Sequence, residues 1–142
     1  MKLAIILLWF ITSCFAGELE CLSRGIYFEA GNQSYQGKLA VANVIKNRKD
    51  KWKLETYCKV VNQETNGRKQ FLWIDPKLPI PGTADFKNWQ YSRALAAQFI
   101  KAPSGFKDNT DGSLYFHSLQ VNPNWKKRKT VTIQNHVFYK DD

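Results

Sequence analysis

Apolar residues recur at the spacing of an α-helix in four stretches of the chain. Ser34 and Thr56 are typical N-cap residues, because their side-chain oxygens can accept the first free backbone N–H groups of a helix. Gly31 is a typical helix terminator. The pattern therefore predicts four helices: one over residues 18–31, a second that follows Ser34 and ends at 47–50, a short third that follows Thr56 and carries Cys58, Val60 and Val61, and a fourth over 88–102.

Toward the end of the chain the helical spacing gives way to short runs rich in aromatic and β-branched residues. Such runs, bounded by turn residues, predict strands over 113–118, 130–133 and 136–139. The last two are separated only by Gln134 and Asn135, which predicts a hairpin with a tight connection. The sequence thus predicts an α+β fold, mostly helical with a small C-terminal antiparallel sheet.

Residues 66–88 show no periodicity and contain three prolines and two glycines, which predicts a long loop. Long loops inside compact domains are uncommon and often carry function. The aromatic residues Phe71 and Trp73 in this loop are therefore candidates for ligand contact rather than for the core.

The first sixteen residues combine one lysine, an apolar stretch and small residues near Ala16. This pattern is typical of a secretory signal peptide that is cleaved after Ala16. The apolar stretch is shorter than the roughly 20 residues that a membrane-spanning helix needs. Alternatively, Ile11-Thr12-Ser13-Cys14 resembles a bacterial lipobox, in which Cys14 would carry a lipid. We expect a leader over 1–16 and one domain over 17–142, secreted or held in the periplasm or cell envelope.

With 142 residues and 44% hydrophobic content, the chain is long enough for one core and too short for two. Its 21 Lys and Arg against 12 Asp and Glu give a net charge of +9, which attracts polyanions such as nucleic acid, acidic lipid or an anionic wall polymer. Charge alone does not choose among them, and many secreted proteins are simply basic. The cluster Lys126-Lys127-Arg128-Lys129 has the same two interpretations, a binding patch or a solvated face.

Removal of the leader leaves two cysteines, Cys21 and Cys58. In an exported protein such a pair favours a disulfide, the alternative being two buried thiols. The two histidines, His117 and His136, do not form an HExxH motif, so the chain is short of zinc ligands. We expect no metal and no cofactor.

Glu29 is the one carboxylate in the aromatic and apolar segment from Ile26 to Ala30. In a partly desolvated cleft beside Tyr27 and Phe28 its pKa would be raised, because burial disfavours the charged form. A carboxyl group that is protonated near neutral pH can act as a general acid. The alternative is a helix-end glutamate that points to water.

Ordered motifs around and after Glu29 extend over essentially the whole mature chain. They are CLSRGIYFEA (21–30), QGKLAVANVIKNR (36–48), YCKVV (57–61), QF (70–71), YFH (115–117), PNW (123–125) and NHVFY (135–139). Together they closely resemble the SleB-type, cortex-lytic cell wall hydrolase family. The resemblance implies a lysozyme-like fold, related to lytic transglycosylases, that cleaves the glycan strands of peptidoglycan with Glu29 as the catalytic acid/base.

One departure from the family bears on mechanism. Many members carry a second glutamate just after the motif, where this chain has Gln33, which cannot titrate. Hydrolytic glycosidases generally need two carboxylates. A lytic transglycosylase can use one, which protonates the leaving oxygen and then takes the proton of the muramic acid 6-hydroxyl. Three other carboxylates stay open as a second acid: Glu64, Asp75 and Asp85.

A sugar cleft combines aromatic faces that stack on a pyranose with polar groups that hold its hydroxyls and acetamide. The candidates for stacking are Phe71, Trp73 and Tyr115, those for hydrogen bonding are Asn47, Gln63 and Gln70, and His117 is a structural or substrate-orienting group. Each has an ordinary alternative, since most aromatic residues in a small domain are core and polar groups often serve helix ends, loops or strands.

Two other functions remain open: a basic secreted module that binds peptidoglycan or nucleic acid without chemistry, and an amidase that removes the stem peptide. An amidase normally needs a zinc site or a nucleophile constellation, and neither is evident here. We expect a monomer that acts on peptidoglycan glycan strands, without nucleic acid, and with membrane contact only if Cys14 is lipidated.

Overall fold

The computed structural model describes residues 2–71 and 77–142, with side chains from residue 14 onward. The chain forms an α+β domain, as predicted. Its helices are α1 (Lys2–Ala30), α2 (Tyr35–Lys51), α3 (Tyr57–Val61) and α4 (Ala84–Lys101). Its strands are β1 (Glu64–Thr65), β2 (Arg68–Lys69), β3 (Tyr115–Ser118), β4 (Arg128–Ile133) and β5 (His136–Lys140).

Side-chain caps fix the starts of three helices. The predicted caps Ser34 and Thr56 are confirmed, since each side chain accepts a backbone N–H from the first turn of its helix. Thr83 caps α4 in the same way, so the predicted start at residue 88 is wrong. The predicted start of the first helix at residue 18 is also wrong, because α1 includes the residues assigned to the leader.

The segment predicted as a structureless loop contains a short hairpin. Strands β1 and β2 pair in antiparallel fashion, and Asn66 and Gly67 form the turn between them, with positive φ angles of 53° and 72°. Asn-Gly favours this turn because both residues tolerate the left-handed region. The loop interpretation of residues 66–88 is therefore wrong for 66–69, which belong to the hairpin, and for 84–88, which belong to α4.

The main core lies among the helices. The last turns of α1 pack against α2 and α4, and Gly25 allows the close approach of α1 to α2, because a Cβ there would come within 2.7 Å of Ile45 Cδ1. The cluster includes side chains from all four helices: Leu22, Ile26, Leu39, Val41, Ile45, Val60, Val61, Leu95 and Phe99.

A second cluster joins α2 to the C-terminal sheet. Ala40 and Val44 of α2 pack with the fully buried Phe138, and Phe116 covers them. The sheet is antiparallel with the strand order β3-β5-β4, and Phe116 pairs with Phe138. Because side chains alternate along a strand, Tyr115, His117 and Tyr139 lie on the opposite, outer face of the sheet.

A disulfide joins Cys21 of α1 to Cys58 of α3, as predicted. The same two elements are linked by Glu18, whose carboxylate accepts the backbone N–H groups of Tyr57 and Cys58. Helix α3 has only five residues, too few to be stable alone, so these links hold it against the core.

Replacing both Cys21 and Cys58 by Ser is expected to lower the free energy of unfolding by about 4 kcal/mol in the chain-entropy model, because the bridge restricts the unfolded chain. The melting temperature should fall by roughly 10 °C. Reductant should lower the melting temperature of the wild-type protein and leave the double variant unchanged. A wild-type melting temperature that is insensitive to reductant would contradict the bridge.

Over the described residues, no helix combines the length and the apolar character that crossing a membrane requires. The exposed Cys14 is a free thiol within α1. Cleavage after Ala16 and lipidation at Cys14 both stay predictions.

Candidate active site

Glu29 lies in the last turn of α1, where it is partly buried. The helix ends just after it, with the backbone N–H of Gly31 donated to the carbonyl of Tyr27. Burial lowers the pKa of Arg48 on α2, and the negative charge of Glu29 is one of the influences that oppose this lowering. The predicted acid is therefore near a cation that belongs to a neighbouring helix.

Arg48 is only 5% exposed and is held from several sides. Its Nε donates to the carbonyl of Leu114 at 2.6 Å. Its guanidinium carbon lies 5.6 Å from the ring centre of Trp52, 5.2 Å from Phe71 and 5.9 Å from Tyr115. Burial lowers the pKa of Arg48 to about 10, against the opposing influence of Tyr115 and Glu29. The cation thus ties α2 to the strand that carries Tyr115.

Two of the predicted aromatic contacts belong to the segment between β2 and α4. Phe71 is only 4% exposed and packs in the helical core, so the expectation that this loop aromatic is exposed is wrong. It covers Arg48 instead of offering a free ring face. Gln70 beside it is exposed. Trp73, and Asp75 among the candidate second acids, lie outside the described residues.

The outer face of the sheet carries a set of neighbouring rings, which we call the aromatic face: Tyr115, His117, Trp125 and Tyr139. The ring centre of Trp125 lies 6.2 Å from that of Tyr115 and 5.3 Å from that of His117. Lys127 Nζ lies 3.9 Å from the ring centre of Tyr115. Tyr115 therefore belongs both to the aromatic face and to the surroundings of Arg48.

His117 is fixed by hydrogen bonds at both ring nitrogens. Nδ1 lies 2.7 Å from the carbonyl oxygen of Ser118, and Nε2 lies 3.0 Å from the Tyr139 hydroxyl. Because the carbonyl can only accept, Nδ1 carries the proton and Nε2 accepts from Tyr139 in the neutral ring. The imidazole is thereby held as part of the aromatic face.

Gln33, at the position of the absent second glutamate, is 9% exposed. Its side-chain Nε2 lies 3.0 Å from His136 Nδ1, and its backbone carbonyl accepts from Lys38 Nζ. The side chain thus connects the end of α1 to β5. Burial, and secondarily the charge of His117, lower the pKa of His136, so the neutral ring accepts the amide N–H of Gln33.

This contact predicts a pH-dependent stability. Because the pKa of His136 is lower in the folded than in the unfolded protein, stability is full above the unfolded value of 6.5 and falls as the pH drops below it. The melting temperature should decline in this range, above the pKa values of ordinary carboxylates. His136→Asn, which does not titrate, should lose this decline, and His117→Asn should retain most of it. An unchanged decline in His136→Asn would contradict the assignment.

The side-chain amide of Asn47 donates hydrogen bonds to two other groups of the protein. Nδ2 donates to Asp108 Oδ2 at 2.9 Å and to the carbonyl of Ser113 at 3.0 Å. Burial raises the pKa of Asp108, but hydrogen bonds from Thr110, Asn47 and Gly112 outweigh this and hold the pKa below its ordinary value. Asn47 therefore anchors the loop before β3 to α2.

Of the candidate second acids, Asp85 and Glu64 lie within the described residues. Asp85 accepts from the hydroxyl of Tyr27 at 2.5 Å. Burial, with Asp85 as the second cause, raises the pKa of Tyr27 to about 12. Tyr27 and Glu29 are two residues apart on one helix, so their side chains project from nearly opposite faces. Glu64 is exposed on the β1–β2 hairpin, where Gln63 precedes it and is partly buried.

Asp85 and Tyr27 also line a cavity of about 310 Å³, together with Phe28, Gly31 and Asn32.

Within the part of the chain that the structure describes, no group of three or more His, Cys, Asp or Glu side chains could hold a metal ion. Three of the four basic residues at 126–129 are exposed, and Lys127 is partly buried beside Tyr115.

Sequence reasoning missed three residues of this site: Arg48, Trp125 and Tyr139. A signal for Arg48 exists, because it follows Val41 and Ile45 at helical spacing and so extends the buried face of α2. Tyr139 is two residues after Val137 on β5, so the two side chains lie on the same face of the sheet. Val137 pairs with His117, which indicates that Tyr139 lies on the face of His117. Trp125 lies in an irregular connection, where no periodicity indicates its direction.

A family model described as Cell Wall Hydrolase matches residues 32–139 of this chain. The matched range includes Gln33, Arg48 and the whole aromatic face, and it begins three residues after Glu29. Comparison with curated proteins and with solved structures gave no match. Because the match covers well over half of the 142 residues, the chain belongs to the SleB-type cell wall hydrolase family.

Proposed function

We propose that this cell wall hydrolase is a secreted lytic transglycosylase that cleaves peptidoglycan between N-acetylmuramic acid and N-acetylglucosamine. Family membership supports an enzyme that degrades peptidoglycan. The observation that carries the finer proposal is the position of Glu29, which is partly buried and within electrostatic reach of Arg48. The guanidinium carbon of Arg48 in turn lies 5.9 Å from the ring centre of Tyr115, which belongs to the aromatic face.

In this mechanism Glu29 acts twice. The protonated carboxyl donates its proton to the glycosidic oxygen, the C1–O bond breaks, and positive charge develops at C1 of the muramic acid. The 6-hydroxyl of the same sugar attacks C1, and the Glu29 carboxylate takes the hydroxyl proton. The products are a 1,6-anhydromuramyl end and a free 4-hydroxyl on N-acetylglucosamine, with Glu29 again protonated and no water consumed.

A single acid is supported by the groups around α1. Gln33 occupies the position of the second family carboxylate and is tied to His136. Asp85 accepts a hydrogen bond from the hydroxyl of Tyr27. The side chain of Tyr27 projects from nearly the opposite face of α1 to that of Glu29. A hydrolytic glycosidase needs its second carboxylate across the scissile bond from the first. These placements favour intramolecular attack by the 6-hydroxyl over attack by water.

The aromatic face is suited to hold the glycan. Trp125 is 37% exposed and presents its indole beside His117 and Tyr139. Aromatic faces stack on the apolar face of a pyranose, and the exposed basic residues that follow Trp125 favour a substrate with carboxylates. The lactyl and stem-peptide carboxylates of peptidoglycan meet this requirement.

Secretion is supported by two features. The disulfide between Cys21 and Cys58 favours an oxidising compartment. Glu18, two residues after the predicted cleavage site, hydrogen-bonds α3, so a chain that begins at Gly17 retains this link. The excess of Lys and Arg over Asp and Glu would attract the enzyme to anionic cell walls.

Digestion of purified, insoluble peptidoglycan followed by mass analysis tests the proposed bond class. We expect shortened glycan fragments that retain their stem peptides. Free stem peptides beside uncut glycan would instead show an amidase. Binding to the wall without release of fragments would show a module that lacks chemistry.

A further inference from the structure

A second cavity, of about 540 Å³, lies where α2 faces α4. Its volume is in the range of small-molecule binding sites. In the described part of the chain neither Glu29 nor any residue of the aromatic face lines it. The lining residues of α4 recur every three or four positions, so they share one face of that helix. The side chains that bear on a ligand are Tyr35, Lys38, Asn88, Tyr91, Leu95 and Gln98.

Lys38 supplies the charge of this cavity. The residue is 6% exposed, and its Nζ donates to the backbone carbonyl of Gln33. Among the residues that the structure describes, no carboxylate forms an ion pair with it. Burial lowers the pKa of Lys38, because the charged form has lost contact with water. A buried ammonium group is normally paired with an anion, which a carboxylate in the cavity would supply.

The rest of the lining combines rings, an apolar side chain and amides. Tyr35 and Tyr91 come from different helices and are 53% and 61% exposed, so both phenol rings are accessible at the cavity. Leu95 belongs to the main core and is 4% exposed. Asn88 and Gln98 carry amides, which can both donate to and accept from an amide of a ligand. One cation among apolar, aromatic and amide groups is typical of a site for a small polar organic acid.

We propose that this cavity is a binding site for a ligand that carries a carboxylate close to a secondary amide, with Lys38 as the partner of the carboxylate. Peptidoglycan offers this combination in two places. One is N-acetylmuramic acid whose lactyl carboxylate is free of the stem peptide, and the other is the C-terminal end of the stem peptide. The choice of ligand rests on the proposed function only in that peptidoglycan is the substrate, and it is independent of the role of Glu29.

A merely structural role for Lys38 predicts a different result. Its hydrogen bond to the Gln33 carbonyl joins the start of α2 to the segment after α1, and this bond alone could explain why the residue is retained. In that case the charge at residue 38 would affect the melting temperature and would not affect the binding of any ligand. The proposed role requires binding to depend both on this charge and on the carboxylate of the ligand.

The test is a titration of the full chain with N-acetylmuramic acid, followed by NMR and by calorimetry. We expect saturable binding with a Kd of about 1 mM or below. N-acetylglucosamine, which lacks only the lactyl group, should bind at least about ten-fold more weakly, because charge-assisted hydrogen bonds are the strong ones. The backbone amide signals of Tyr91, Leu95 and Gln98 should shift along the same saturation curve.

Three variants separate the charge from the fold. Lys38→Gln should weaken the binding of N-acetylmuramic acid by about ten-fold or more, while its amide can still donate to the Gln33 carbonyl. Tyr91→Ala removes an exposed ring and should weaken binding of both sugars without lowering the melting temperature. Lys46→Gln is the matched control, because Lys46 lies on the same helix outside this lining, in an ion pair with Asp50. Its affinity should equal that of the wild type.

N-acetyl-D-alanyl-D-alanine identifies the source of the ligand. If this peptide binds more tightly than N-acetylmuramic acid, the stem peptide is the ligand, and the reverse order assigns the muramic acid. Both results require Lys38. The absence of saturable binding of either acid at about ten times the expected Kd would overturn the inference.

Wild-type affinity in Lys38→Gln, equal affinity for the two sugars, or shifts confined to the aromatic face would also overturn it. The titrations are repeated in Glu29→Gln, where binding should be unchanged. Cleavage of peptidoglycan without binding at this cavity defeats only this inference. Binding at the cavity in a protein that does not cleave peptidoglycan defeats only the proposed function.

Discussion

Glu29→Gln is expected to abolish the cleavage of purified peptidoglycan, with a loss of about 10³-fold or more, while the fold stays intact. The amide keeps the shape of the side chain and removes only its ability to give and take a proton. Since the proposed mechanism uses Glu29 in both steps, no other group should replace it. Loss of turbidity of a wall suspension measures the activity, and circular dichroism with a melting curve measures the fold.

Glu20→Gln is the matched control for this substitution. Glu20 lies on the same helix, and its carboxylate accepts from Arg24 at 2.8 Å in a partly exposed ion pair. Such pairs contribute little to stability, so this variant should have the activity of the wild type. Near-normal activity in a folded Glu29→Gln protein would remove Glu29 from the mechanism.

Local rules predict much of the fold because they act within a few residues. Ser34 and Thr56 define helix starts by their own side chains, and the alternating runs near the C-terminus define the sheet. The same rules predict a turn at Asn66-Gly67. The turn was missed because the prolines and glycines that follow it favoured a loop over the whole segment. The extent of α1 was missed because the change in composition at residue 17 marks a predicted processing site and not a change of backbone.

The sequence offers candidates for the site where a residue carries its own chemistry. Glu29 stands out as one acid in an apolar segment, and Tyr115 and His117 stand out as polar aromatics on a strand. The burial of Phe71 could not be predicted, because it depends on tertiary packing against the helical core and Arg48, which are distant in the chain. The hydrogen bonds of Asn47 to Asp108 and Ser113 likewise join distant parts of the chain, and no local pattern predicts them.

The second large effect concerns the chemical end of the product. An attached nucleophile avoids the entropy cost of capturing a water molecule, so the 6-hydroxyl is an efficient trap for the developing charge at C1. We therefore expect 1,6-anhydromuramyl ends on essentially all fragments. Single replacement of Glu64, Asp75 or Asp85 by its amide should leave their yield unchanged, since none of these residues takes part in the proposed mechanism.

The most direct test of the single-acid mechanism is digestion of purified peptidoglycan in isotopically labelled water, with mass analysis of the fragments. The mechanism involves no water, so the account predicts anhydromuramyl ends that contain no labelled oxygen. Reducing muramic acid ends that carry the label would contradict it and would require a second carboxylate, to be sought among Glu64, Asp75 and Asp85.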